Sequence, residues 1–323
     1  MKKVKLGKSS LKTSPIIFGG NVFGWTLNEE ESFKMLDELF ELGFNTIDTA
    51  DVYSRWADGV PHGTSERIIG KWMKARKLRD KITVITKGGS GLQPGGPKDN
   101  SRDYLTGAVE DSLLRLQTDY IDLYFTHFDD GETPVEEALE AYQKFIDTGK
   151  IKHIGASNFS AERLQKSLEI ANRKDLPPYE VFQPEYNLMV RDKYEGKIEK
   201  ICSQNNLGVI PYFSLASGFL TGKYRSKEDF QGQERKIFTE KFLNDRGKKV
   251  LKSLDEISEK YNTSQAGIAL AWLINRPGVS APIASATKSS HLKSFTQAAE
   301  ISLSQDDMEV LNKASKPEED TKK

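Results

Sequence analysis

Eight short apolar runs, separated by stretches with helical spacing, constrain this chain more than any other feature. The runs occupy residues 15–20, 44–48, 81–86, 120–126, 151–156, 179–183, 208–212 and 279–283. Each is of the kind buried on both faces of a parallel sheet. The stretches between them carry helix signals. Asn28 precedes three glutamates, an N-cap with an acidic first turn, and Leu36, Leu39 and Phe40 then form an inner face that ends at Gly43. Thr133-Pro134-Val135-Glu136 is expected to form a capping box, with Val135, Leu139, Tyr142 and Ile146 on one face. Leu105, Val109, Leu113 and Leu116 make another inner stripe, and Leu164 and Leu168 the next. This alternation is the pattern of a mixed α/β protein, a (β/α)8 TIM barrel.

A doubly wound open sheet is the rival architecture, and it normally carries a glycine fingerprint after its first strand. Here the first run continues into Gly-Gly-Asn-Val-Phe, and no such fingerprint follows. Gly89, Gly91 and Gly95 come closest, in a proline-containing loop. The barrel is therefore the expected fold, as a single domain over residues 1–316. It is preceded by a short segment with a turn at Gly7-Lys8, read as a β-hairpin. A long polar loop, residues 221–246, follows the seventh strand, and residues 317–323 are expected to form a disordered tail.

Lysine plus arginine and aspartate plus glutamate number 47 each, so no basic excess draws the chain to nucleic acid or an anionic membrane surface. MKKVKLGKSS lacks the apolar run of a secretory signal, and nothing in the sequence is long and apolar enough to span a bilayer. The single cysteine, Cys202, lies one helical turn after Ile198 and is expected to be a buried structural thiol. A cytoplasmic protein without a metal site is the expectation; oligomeric state is not legible.

Three of the runs end on residues able to move or steer a proton: FNTIDTADVY, KITVITKGG and IDLYFTHFDD. They leave Asp48, Tyr53, Lys87 and His127 at or just past strand ends, where a barrel carries its chemistry. A phenol has an unperturbed pKa near ~10, and a neighbouring ammonium favours its ionised form. A buried ammonium in turn needs a counter-charge. Asp48, Lys87 and Tyr53 supply that order of dependence, and His127 is placed to bond a substrate oxygen. Such a set suits protonation of a carbonyl oxygen as hydride reaches its carbon.

These stretches resemble the signatures of the aldo-keto reductase superfamily, and so do HIGASNFS, FQPEYNLMVR, PYFSLASGFLTGKY and PIASATKSSHLKSF in family order. The resemblance implies a catalytic tetrad of Asp48, Tyr53, Lys87 and His127, and a nicotinamide dinucleotide laid across the barrel mouth, with Asp48 also beside it. It implies that Ser157, Asn158 and Gln183 hold the carboxamide, that Tyr212 stacks on the nicotinamide, and that Gly20 and Asn21 approach from the other side. Phe213, Ser214, Leu215, Ser217, Gly218 and Lys223 would wrap the pyrophosphate, with Arg225, Arg235 and Lys236 as candidates to close over it. Ser285, Thr287, Lys288 and His291 would meet the adenosine end, and their charge and hydroxyls favour NADP(H) over NAD(H). Phe23, Trp25, Trp56 and Phe128, with Val22, Ser54 and Phe159, are expected to ring a mouth for small carbonyl substrates. The implied activity is NADPH-dependent reduction of aldehydes and ketones. A second implied reading is a cofactor-binding regulatory module, like the potassium-channel β-subunit relatives.

Overall fold

The computed structural model describes residues 1–93, 95–231 and 236–317. Arg235 and residues 318–323 of the expected tail lie outside them. The chain opens with a two-stranded antiparallel hairpin, β1 (Val4–Lys5) and β2 (Lys12–Thr13). Eight parallel strands follow: β3 (Ile17–Gly19), β4 (Thr46–Asp48), β5 (Thr83–Gly88), β6 (Ile121–Thr126), β7 (Ile151–Ser157), β8 (Val181–Gln183), β9 (Gly208–Val209) and β10 (Ile283–Ala284). They neighbour one another in chain order, with β10 beside β3. The ring closes between β9 and the approach to β10, where Val209 bridges Val279 and the Ile283 N–H donates to Pro211 O at 2.8 Å. Helices separate the strands, giving the (β/α)8 barrel.

All eight expected strands form, with shifted ends. β5 runs on to Gly88, so Lys87 projects from inside the strand. The seventh and eighth strands are cut to two residues each. Pro211 and Pro282 lie in those runs and have no N–H to donate, so the ladder there thins to single bridges.

Two cores result. Leu6, Ile17, Ile85, Leu123, Phe125, Val181, Ile210, Ala281 and Ile283 fill the barrel interior. The larger core lies between strands and helices, and it takes Leu36, Leu39, the whole stripe from Leu105 to Leu116, Leu164 and Leu168. Phe40 and Ile146 pack against it half-buried. Cys202 is buried as expected, and burial pushes its thiol up to about 12.

The first helix, Glu29–Glu41, has the expected N-cap: Asn28 Oδ1 accepts from the Glu31 N–H, and the Glu31 carboxylate accepts from the Asn28 N–H. The expected capping box at Thr133 does not form. Pro134 itself occupies the N-cap of Val135–Asp147, and the Thr133 N–H and hydroxyl both donate to Asp130, at 2.9 and 2.6 Å. The described residues of the loop 221–246 form local structure. Tyr224 stacks on Phe230 at 4.6 Å, and helical turns span Glu228–Phe230, Lys236–Thr239 and Glu240–Phe242. Its last residues, Asp245 and Arg246, already belong to the next helix, Asp245–Lys260.

The helices Thr64–Arg76 and Arg102–Leu116 pack side by side above β5. They touch at Gly70, where an added Cβ would lie 2.6 Å from Arg115 O and Leu116 C. Those are backbone atoms and cannot swing aside. Gly70→Ala is expected to force the helices apart and cost about 1–3 kcal/mol, read as a lowered denaturant midpoint at unchanged slope.

Candidate active site

Lys87 is buried completely and uses all three ammonium protons. It donates to Asp48 Oδ2 at 2.7 Å, to Thr49 O at 2.6 Å and to Tyr53 Oη at 3.1 Å. The other Asp48 oxygen accepts from Gln183 Nε2 at 3.0 Å. These contacts answer the cost of a buried ion pair, which is repaid only when its remaining lone pairs and protons are bonded. Tyr53 follows β4 on a loop whose Asp51 N–H donates to Lys87 O at 3.0 Å. Its hydroxyl reaches Asp48 only at 3.5 Å, so the phenolic proton is weakly committed.

The electrostatics refine one expectation. Lys87 was expected to bring the Tyr53 phenol down. In the structure burial, and then the Asp48 carboxylate, hold it well above the usual tyrosine range. The phenol therefore rests fully protonated. Burial also lowers Lys87 and raises Asp48, and their mutual contact opposes both displacements. His127 lies one residue past β6, with its ring centroid 6.3 Å from that of Tyr53. Burial first, then the charges of Lys87 and Arg55, hold its imidazole well below the usual range, so it is neutral. Its Nδ1 is buried with no hydrogen-bond partner among the described residues.

The structure joins the first group of expected cofactor residues to this tetrad through one polar chain. Tyr212 Oη donates to Asn158 Oδ1 at 2.7 Å, and the Asn158 amide donates to His127 O at 2.9 Å and to Ser157 Oγ at 3.1 Å. Ser157 Oγ donates to Gln183 O at 2.8 Å, and Gln183 reaches Asp48. Asn158 holds φ at +57°, a cost that short amide side chains bear better than most. On the opposite side, Ser285 Oγ donates to Gly19 O at 2.7 Å and bonds Asn21 Oδ1 at 2.6 Å. Gly20 follows, with room for a Cβ only 3.1 Å from Ser65 Oγ.

After β9 the backbone turns left-handed at Phe213, Ala216, Ser217 and Gly218, and the Ala216 and Gly218 N–H groups close the turn on Phe213 O and Leu215 O at 2.7 and 2.9 Å. Leu215 lies half-buried in that turn, while Ser214 is buried, its hydroxyl donating to Pro211 O. Lys223 and Lys288 have no carboxylate partner within ion-pair distance among the described residues, and with burial they hold His291 below its usual range. Thr287 is half-buried beside Lys288. The unpaired lysines Lys223 and Lys288, gathered about His291, fit a dinucleotide with charged phosphates. Arg225 does not join them. It is clamped on Asp255 by paired bonds of 2.9 and 2.8 Å, and Lys236 faces Glu240.

Of the residues expected at the mouth, Phe23 is wholly buried and stacks on Phe18 at 5.4 Å, and Val22, Ser54 and Phe159 are likewise buried. Apolar residues close after β3 are drawn under the loop by this stacking. Trp56 is 43 % exposed and edge-on to both Trp25 and Tyr53 at 5.7 Å, and Phe128 lies beside His127 at 4.9 Å.

Sequence reasoning missed a buried polar layer behind Lys87. Glu66 accepts from Thr86 Oγ1 and Arg115 Nε, each at 2.6 Å, and Asp51, Tyr104 and Tyr124 surround it. Asp51 lay in view within FNTIDTADVY, but its burial depends on helices far along the chain.

A family model described as "Aldo/keto reductase family" matches residues 15–316. The chain is 33% identical over 299 residues to a probable voltage-gated potassium channel subunit beta of Oryza sativa subsp. japonica, covering 90% of this chain and 89% of that protein. It is 31% identical to aldo-keto reductase YhdN of Bacillus subtilis (strain 168), covering 91% and 86% of the two chains. It is 30% identical to L-glyceraldehyde 3-phosphate reductase of Escherichia coli (strain K12), covering 90% and 86%.

Proposed function

Since the chain belongs to the aldo/keto reductase family, we propose that it is an NADPH-dependent reductase of aldehydes and ketones. The observation that carries this reading is the Tyr53 phenol, kept protonated while it accepts a 3.1 Å bond from Lys87. When bound, the dinucleotide supplies hydride to the carbonyl carbon. Ser157, Asn158, Gln183 and Tyr212 would orient its nicotinamide end, and Lys223, Lys288 and His291 would meet its charged end. Negative charge developing on the carbonyl oxygen is what draws the proton from Tyr53. Lys87 stabilises the phenolate left behind, and Asp48 holds Lys87 on the Tyr53 side. Neutral His127 orients the carbonyl by donating a hydrogen bond without competing as an acid. The reducing setting suggested by one buried cysteine suits a cytoplasmic enzyme.

The test is NADPH absorbance followed against aromatic, aliphatic and dicarbonyl aldehydes. Oxidation of NADPH by members of this panel, faster than with NADH, is expected. The rice relative favours a second reading, a cofactor-binding regulatory module. Tight NADPH binding with no turnover on any member of the panel selects that reading.

A further inference from the structure

The end of the barrel that carries the amino-terminal hairpin holds a second constellation. Ser10, in the turn between β1 and β2, sets its Oγ 2.8 Å from His153 Nε2, and His153 Nδ1 bonds the Glu180 carboxylate. β7 carries His153 near its start and Ser157 at its end, so this group and the tetrad lie at opposite ends of the strands. Glu180 comes just before β8 and is clamped by its backbone: its N–H donates to Ile154 O at 3.0 Å, and its carbonyl accepts from the Gly208 N–H at 2.9 Å. The His153 and Glu180 side chains are part-buried, while Ser10 is exposed. An ionised carboxylate can only accept, so the imidazole proton sits on Nδ1, and Nε2 is left to accept from the Ser10 hydroxyl. A hydroxyl on an imidazole that a carboxylate orients is the arrangement that makes serine a nucleophile. The hairpin is anchored without this bond, since Leu6 fills the barrel interior and the Lys8 N–H donates to Asn206 O. Among the described residues no acceptor takes the Ser10 N–H, which leaves it to bond an oxyanion formed at its own side chain.

We propose that Ser10, His153 and Glu180 form a second reactive site, in which Ser10 takes acyl groups from small activated esters. Ser10 Oγ attacks the ester carbonyl carbon, and its proton passes to His153 Nε2 as the Oγ–C bond forms. The bond from that carbon to the alcohol oxygen then breaks, and the departing alcohol takes the proton from Nε2. Water, giving a proton to the same nitrogen, cleaves the acyl-Ser10 ester and releases the acid and the free serine. Glu180 touches none of the reacting atoms; it is a positioning residue that fixes the tautomer of His153. An exposed turn admits a small acyl group and offers no walls to hold a large one. The reaction is expected to be slow, because one backbone N–H stands where such sites usually place two donors. The site shares no residue with the tetrad and is independent of whether the other end reduces carbonyls.

The probe is an alkyl fluorophosphonate, which reports a serine whose proton has a base to go to. The Oγ–P bond forms, the P–F bond breaks, and fluoride leaves as the proton moves to His153 Nε2. Peptide mass spectrometry of the full chain locates the label and times its appearance. Ser10 is expected to be labelled at least about 10²-fold faster than the exposed Ser203, the low end of what a positioned base contributes. His153→Gln is expected to erase that advantage, and Glu180→Gln to reduce it about tenfold or more. Ser10→Ala leaves the hairpin unlabelled. Equal labelling of Ser10 and Ser203 in wild type overturns the proposal, and so does an undiminished Ser10 rate in either the His153 or the Glu180 variant. Should those variants fail to fold, a second readout needs only wild type. Nitrogen-15 spectra of the histidine-labelled protein are expected to show His153 with its proton on Nδ1, and a proton on Nε2 instead overturns the proposal.

Discussion

Tyr53→Phe is expected to lower carbonyl turnover by about 10²–10⁴-fold, the range a positioned general acid contributes. The substitution removes one oxygen from a site whose other bonds survive it. Lys87 keeps Asp48 Oδ2 and Thr49 O, and Gln183 keeps Asp48 Oδ1. None of the polar chain from Tyr212 to Gln183 runs through the phenol, so NADPH affinity is expected to persist. Steady-state kinetics with NADPH titrated by fluorescence separates the two effects. A variant with near wild-type kcat removes Tyr53 as the acid. His127, held neutral beside it, is then the next donor to substitute.

Arg115→Met is expected to be the most damaging single change to stability, at about 3–5 kcal/mol. Glu66 is wholly buried and its ion pair with Arg115 closes at 2.6 Å. Without the guanidinium, Glu66 keeps only the Thr86 hydroxyl, and Asp51 loses one of the two cations that offset its own burial. Two carboxylates are then buried with too little positive charge, which costs more than the Coulomb energy of the lost pair. Arg115→Met with Glu66→Met should recover most of that loss, since apolar replacement of a buried pair is often neutral. Denaturant unfolding of wild type, single and double variants measures the difference. A single variant within about 1 kcal/mol of wild type would place the pair among weak surface contacts.

Whatever depends on short stretches of chain was legible in the sequence. The eight strand runs, the Asn28 cap and the inner stripes of the helices depend on period and on turn chemistry, which a dozen residues carry. The gathering of Asp48, Tyr53, Lys87 and His127 followed from the same runs, because strand ends in a barrel share one face. Other features needed partners distant in sequence. Asp51 looks like a loop acid until Tyr104, Arg115 and Tyr124 close over it. The resting state of Tyr53 needed its desolvation beside the Asp48 carboxylate, which no local pattern encodes. The stacking of Phe23 on Phe18 likewise needed the fold, since an aromatic after a strand looks alike in sequence whichever way it turns. Thr133 misled because the Asp130 carboxylate three residues upstream accepts the Thr133 N–H and hydroxyl, taking the N–H that a capping box would give to the Glu136 side chain.

The amino-terminal hairpin carries a consequence for how the molecule is made. Leu6 belongs to the barrel interior, Lys8 N–H donates to Asn206 O at 3.0 Å, and Ser10 Oγ bonds His153 Nε2 at 2.8 Å. A Cβ on Gly7 would lie 2.1 Å from Gly208 N, so the turn presses directly on β9. β3 likewise finds its second neighbour only in β10. The hairpin and β3 thus find partners about 140 to 270 residues further along the chain, and the entropy of that long closure is met before its contacts repay it. During synthesis the growing sheet stands open at the β3 edge until residues 279–284 emerge. Until then it is an unpaired strand edge of the kind that invites association between nascent chains.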